Sequence, residues 1–116
     1  MNKKYAIFAF KGETMCFVHA LLNALDMKKQ GYAVKLIIEG TATRLIKELS
    51  DPKKPFANLY EKAKQEGLIE GVCKACSAKT GSLESAKAQG FSLLDDMSGH
   101  PGFPQYLKEG YKIITL

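Results

Sequence analysis

Short apolar runs alternate with amphipathic stretches along the whole chain. Residues 5–10 (YAIFAF) are apolar and rich in β-formers, which predicts a first strand. Phe17, Val18, Leu21, Leu22 and Leu25 then recur at helical spacing. Thr14 is placed to cap that helix, Lys28 and Lys29 suit its last turn, and Gly31 ends it. Ala33–Ile38 (AVKLII) predicts a second strand. Gly40-Thr41 turns into a helix over 42–49, which Asp51-Pro52 stops. Pro55 is placed to open a third helix with Phe56, Leu59, Tyr60 and Ala63 as its buried stripe and Gly67 at its end. Residues 68–72 predict a third strand weakened by Gly71. A short helix from a Ser82 cap to Ala88 follows, then a strand at 91–94, a polar loop at 95–102, a helix at 104–109 and a last strand at 111–116.

This β-α-β-α-α-β-α-β-α-β order predicts an α/β protein. The expected form is a three-layer α/β/α fold around a mostly parallel five-stranded sheet, flavodoxin-like in appearance. Right-handed crossovers put the loops after the first four strands on one edge of the sheet, where open α/β sheets hold their chemistry. Neither an internal repeat nor a linker interrupts the 116 residues, so one domain over 1–116 is expected.

Composition narrows the function classes. No apolar run approaches the ~20 residues of a membrane span. The basic start (Met1-Asn2-Lys3-Lys4) is followed by too short an apolar run for a secretory signal, so a cytoplasmic protein is expected. The net charge is +5, but Arg44 is the only arginine and the lysines are scattered. Base and phosphate reading favours clustered arginine, which argues against nucleic acid as a partner. Three cysteines in a reducing compartment do not make a disulfide framework.

Two of the three cysteines lie in Val72-Cys73-Lys74-Ala75-Cys76-Ser77. Cys73 follows a strand and precedes a segment able to turn helical. A helix N-terminus favours thiolate and lowers a thiol's pKa, and Lys74 and Lys79 add positive charge. Cys73 is therefore the expected nucleophile. Cys76 has three explanations: a resolving thiol, a second metal ligand, or a small residue under the turn. A zinc ribbon needs a second pair of ligands, which Cys16, His19 and His100 do not supply at ribbon spacing; no metal or other cofactor is expected. Cys16 and His19 share one helical face among core-type residues, as packing or a subunit contact. His100 lies in the loop Asp95-Asp96-Met97-Ser98-Gly99-His100-Pro101-Gly102, which should reach the edge that carries Cys73. There it would orient a thiolate or shuttle a proton, unless the loop is only a polar turn. Lys11-Gly12-Glu13-Thr14 occupies a phosphate-loop position but lacks the glycine pattern.

Over nearly its whole length the chain resembles the DsrE/DsrF-type family of small sulfur-relay proteins. The sharpest match is Val72-Cys73-Lys74-Ala75 with Gly81 eight residues after Cys73. The resemblance implies a DsrE-like fold, a persulfide carried on Cys73, protein sulfur donors and acceptors, and a homotrimer or homohexamer. Cys76 departs from the family pattern, which tends to a small apolar residue there; a lone Lys79 replaces a more basic, arginine-containing stretch. The leading expectation is a sulfur-transfer protein with Cys73, Cys76 and His100 as its reactive groups and Lys74 and Lys79 in support. Its rivals are a non-catalytic oligomeric binding module and a Cys73/Cys76 dithiol redox protein.

Overall fold

A computed structural model describes residues 3–116. Twelve elements follow one another: β1 (Lys4–Ala9), α1 (Thr14–Lys29), β2 (Ala33–Ile38), a 3-10 turn (Gly40–Thr43), α2 (Arg44–Leu49), α3 (Ala57–Gln65), β3 (Ile69–Cys73), α4 (Lys74–Lys79), α5 (Leu83–Ala88), β4 (Leu93–Leu94), α6 (Pro104–Lys108) and β5 (Lys112–Thr115). The five strands form one sheet in the order β4-β3-β2-β1-β5, and every neighbouring pair is parallel. The expected three-layer α/β/α architecture is thus present, with an all-parallel sheet.

Strand periodicity sorts the core into two layers. Ile7 and Ala9 of β1 and Leu36 and Ile38 of β2 face one side. There they pack on Phe17, Leu21 and Ala24 of α1, Leu45, Ile46 and Leu49 of α2, Tyr60 and Ala63 of α3, and Ala86 of α5. Ala6, Phe8 and Ile37 face the other side, where α6 is the one helix among the described residues, packing through the buried Tyr106 with Phe103 and Tyr111 beside it. The Tyr106 hydroxyl donates to Glu70 at 3.3 Å and ties this short helix to β3. One face is therefore deeply covered by four helices and the other thinly covered by five residues of helix.

Local boundaries differ from the sequence reading in instructive places. Glu13, not Thr14, is the N-cap of α1, and Thr14 is already helical. The helix expected from residue 42 begins as the 3-10 turn and becomes α-helical at Arg44. Pro55 does not open α3; Phe56 intervenes with φ 68°, and the helix starts at Ala57. The strand expected over 91–94 shrinks to Leu93–Leu94. Gly71 explains that pairing: a Cβ there would lie 2.7 Å from the Ser92 carbonyl oxygen, so its absence lets the β4 segment close onto β3.

Candidate functional site

Three adjacent parallel strands, β2, β3 and β4, end at the same edge, and each contributes a side chain there. Cys73 is the last residue of β3 and the N-cap of α4. Its side chain has no solvent exposure. The Cys73 sulfur accepts the backbone N–H of Cys76 at 3.3 Å and lies 3.8 Å from the Gly99 carbonyl oxygen. Cys76 follows one turn later on the same face of α4 and is half-buried.

His100 arrives from the loop after β4. Its Nδ1 is 3.1 Å from Cys73 Sγ and 3.5 Å from Cys76 Sγ. Two mutual backbone hydrogen bonds between Met97 and His100, at 2.7 and 2.9 Å, form the loop into a tight turn. The Asp96 carboxylate accepts Gly102 N–H and the Gln105 side-chain amide, tying the loop to the start of α6. The structure thus brings Cys73, Cys76 and His100 into one cluster. No two of their sulfur and nitrogen donor atoms are more than 4.8 Å apart, so the three together are able to hold a metal ion.

Glu39 is the group that sequence reasoning missed. It directly follows β2 and is buried, with a carboxylate oxygen 3.9 Å from His100 Nδ1. Its backbone N–H donates to Ala9 at 2.8 Å, which extends the β1–β2 ladder by one residue and draws the side chain inward. Burial, and then the nearby Asp96 charge, push its carboxyl up to about 7. The available signal was a lone carboxylate directly after the apolar run Leu36-Ile37-Ile38, on the loop-bearing edge. Beside it lies a largely apolar cavity of about 260 Å³, lined by Phe10, Glu39, Met97, Pro101, Phe103 and Pro104.

The electrostatics correct one expectation. The Cys73 thiol is not held below its usual range; burial pushes it up to about 12. The Cys76 N–H opposes that shift, while Cys76 and the Glu39 charge add to it. Helix α4 is only six residues long, and its dipole does not offset the loss of water around the sulfur. Lys74 is at the surface, 3.7 Å from Asp95. Lys79 is exposed in the last turn of α4. The partners of the Cys73 sulfur are Gly99, His100 and Cys76 rather than either lysine.

The remaining candidates lie elsewhere. Cys16 is half-buried and His19 is exposed on α1, so of the two roles expected for His19, packing or a subunit contact, packing within its own chain is not seen. The loop after β1 is closed rather than open to phosphate: Gly12 N–H donates to Thr41 Oγ1 at 2.8 Å, and Arg44 donates to the Gly12 carbonyl. Among the described residues no helix is long and apolar enough to cross a membrane.

Comparison with known proteins gives the chain relatives. It is 35% identical over 99 residues to the uncharacterized protein MJ0733 of Methanocaldococcus jannaschii, across 85% of this chain and 78% of that protein. The chain belongs to the MJ0733 family. An uncharacterized protein of Archaeoglobus fulgidus is 51% identical over 43 residues, which are 37% of this chain and 70% of that protein. No protein-family profile and no solved structure matches this member of the MJ0733 family.

Proposed function

We propose that this protein is a sulfur-transfer protein of DsrE-like type that handles a sulfane sulfur on the Cys73/Cys76 pair. The observation that carries the reading is the single ring nitrogen of His100 within hydrogen-bonding reach of both sulfurs. With Nδ1 unprotonated, His100 takes the Cys73 proton, which offsets the cost of forming a buried thiolate. The thiolate attacks the outer sulfur of a donor persulfide. The donor S–S bond breaks, the donor leaves as a thiolate and takes the proton from His100, and Cys73 holds the persulfide. An acceptor thiol gives its proton to His100, its thiolate attacks that outer sulfur, the Cys73 S–S bond breaks, and Cys73 leaves as a thiolate that regains the proton from His100. Without an acceptor, Cys76 attacks Cys73 Sγ, forms a disulfide and releases hydrosulfide.

A reducing cytoplasm keeps both thiols free for this cycle, and protein donors and acceptors complete it. A homotrimer or homohexamer belongs to the same reading and is measurable by sedimentation velocity. The test of transfer is incubation of the reduced protein with a cysteine desulfurase and its substrate, followed by peptide mass spectrometry. One extra sulfur on Cys73 is expected. Its absence from both Cys73 and Cys76 overturns the reading. A Cys73→Ser variant that keeps a partner but not the sulfur separates a carrier from a passive binding module.

The second reading is a dithiol redox protein, favoured by the placement of both sulfurs on one side of α4. Here Cys73 and Cys76 give two electrons and two protons to a substrate disulfide and close their own. A reversible intramolecular disulfide with a defined potential, formed without added sulfane sulfur, supports it.

A further inference from the structure

We propose that Cys73, Cys76 and His100 form a mononuclear zinc site whose fourth position faces Glu39. Such a site follows from the placement of the three donors and does not depend on sulfur transfer. Zinc bonds of about 2.3 Å to sulfur and about 2.0 Å to nitrogen define a tetrahedron with S···N edges of about 3.6 Å. The two S···N separations in the protein are 3.1 and 3.5 Å, and all three donors fall within 4.8 Å. The S···N edges lengthen by a few tenths of an ångström to take an ion, and the S···S edge settles at about 3.8 Å, inside the 4.8 Å span of the donors.

The backbone is arranged as a metal knuckle. Cys73 and Cys76 are three residues apart at a strand-to-helix turn, and the Cys76 N–H points at Cys73 Sγ at 3.3 Å. An N–H donor to a ligating sulfur spreads the charge of a thiolate and orients its lone pairs. The third donor comes not from a second Cys-x-x-Cys pair, as in a ribbon, but from a histidine 24 residues further on in the next strand's loop. That spacing is why a search for ribbon patterns passes over it.

Donor chemistry selects the ion. Two thiolates and an imidazole suit zinc or copper(I). The buried Glu39 carboxylate lies 3.9 Å from the ligating nitrogen and outside the three-donor cluster, so it serves the remaining position through a bound water. A water oxygen held there completes a zinc tetrahedron and is a poor partner for copper(I). Binding replaces the two S–H protons, so each zinc ion releases two protons from the cysteines.

The experiment uses the full chain, reduced and stripped of metal with a chelator, and titrates it with cobalt(II) and then zinc(II). One equivalent of cobalt is expected to give a thiolate-to-cobalt charge-transfer band and the intense visible bands of a tetrahedral ion, which zinc then bleaches. Cys76→Ser should weaken binding by more than about 100-fold and reduce the charge-transfer band, while Glu39→Gln should weaken it about 10-fold and keep that band. His100→Asn gives a second ligand variant at a partly exposed position, should Cys73 variants fail to fold. Octahedral cobalt spectra, affinity unchanged in Cys76→Ser and His100→Asn, or copper(I) uptake with zinc refused overturns the proposal. Sulfur loading is measured separately with chelator present, so either result stands or falls without the other.

Discussion

The Ala75 backbone N–H donates to the Gly99 carbonyl at 2.9 Å. This bond joins the first turn of α4 to the loop after β4 and so fixes His100 over the two thiols. Gly99 makes it with φ 91°, and a Cβ added there would lie 3.2 Å from Ala75 Cβ. Gly99→Val is expected to cost about 1–3 kcal/mol in urea unfolding. It should also lower both sulfur loading and cobalt affinity, because His100 leaves its position. A variant with lowered stability but wild-type loading and affinity refutes that link.

Glu39 sets a pH dependence. Its carboxyl is raised from 4.5 to about 7 in the folded protein, so the folded state binds more protons than the unfolded state between those values. Stability contributed at this position is greatest below pH 4.5 and falls as pH rises through 7, by up to about 3 kcal/mol. Urea unfolding of metal-free, reduced protein and of Glu39→Gln, compared at pH 5 and pH 8, should show the variant gaining on the wild type at the higher pH. Parallel curves exclude the buried carboxylate as the cause.

Ser77 Oγ is the one buried side-chain polar atom without a hydrogen-bond partner among the described residues. An unsatisfied buried hydroxyl costs about 1–3 kcal/mol, and alanine removes it without adding volume. Ser77→Ala should therefore be neutral or stabilising by about 1 kcal/mol, read as a higher urea midpoint at unchanged slope. A loss of stability would mean that Ser77 has a partner in solution.

Much of the architecture was legible from periodicity. The run Ala33–Ile38 is apolar except for Lys35, its last three residues are buried because both sheet faces are covered there, and β2 occupies those residues. The convergence of the loops after β2, β3 and β4 on one edge followed from strand–helix alternation, and with it the meeting of Cys73 and His100. What stayed hidden depends on distances across the fold. Phe56 in a left-handed conformation shifts the start of α3, an outcome set by how the chain between Asp51 and Ala57 crosses to its helix. The Cys73 thiol was misjudged because helix and lysine charges were read from the sequence, whereas its burial came from the loop that carries Gly99 and His100. Glu39 escaped because its place after Leu36-Ile37-Ile38 marks the edge but not the burial, which comes from the loop that carries Asp96 and His100.

Strand β4 has two residues and lies at the sheet's edge, yet it anchors the loop that seals Cys73. Local opening of that edge therefore frees the thiol while β3 and α4 stay folded. In native protein Cys76 should be alkylated first. Cys73 should follow at a rate set by how often the edge opens and should track amide exchange at Val72, whose N–H donates to Ser92 at 3.0 Å. Peptide-resolved alkylation alongside hydrogen exchange reads both; equal labelling of the two cysteines would show that no such gate exists. The reactivity of the buried sulfur is in that sense a property of a two-residue strand, governed by a breathing motion rather than by the acidity of the thiol.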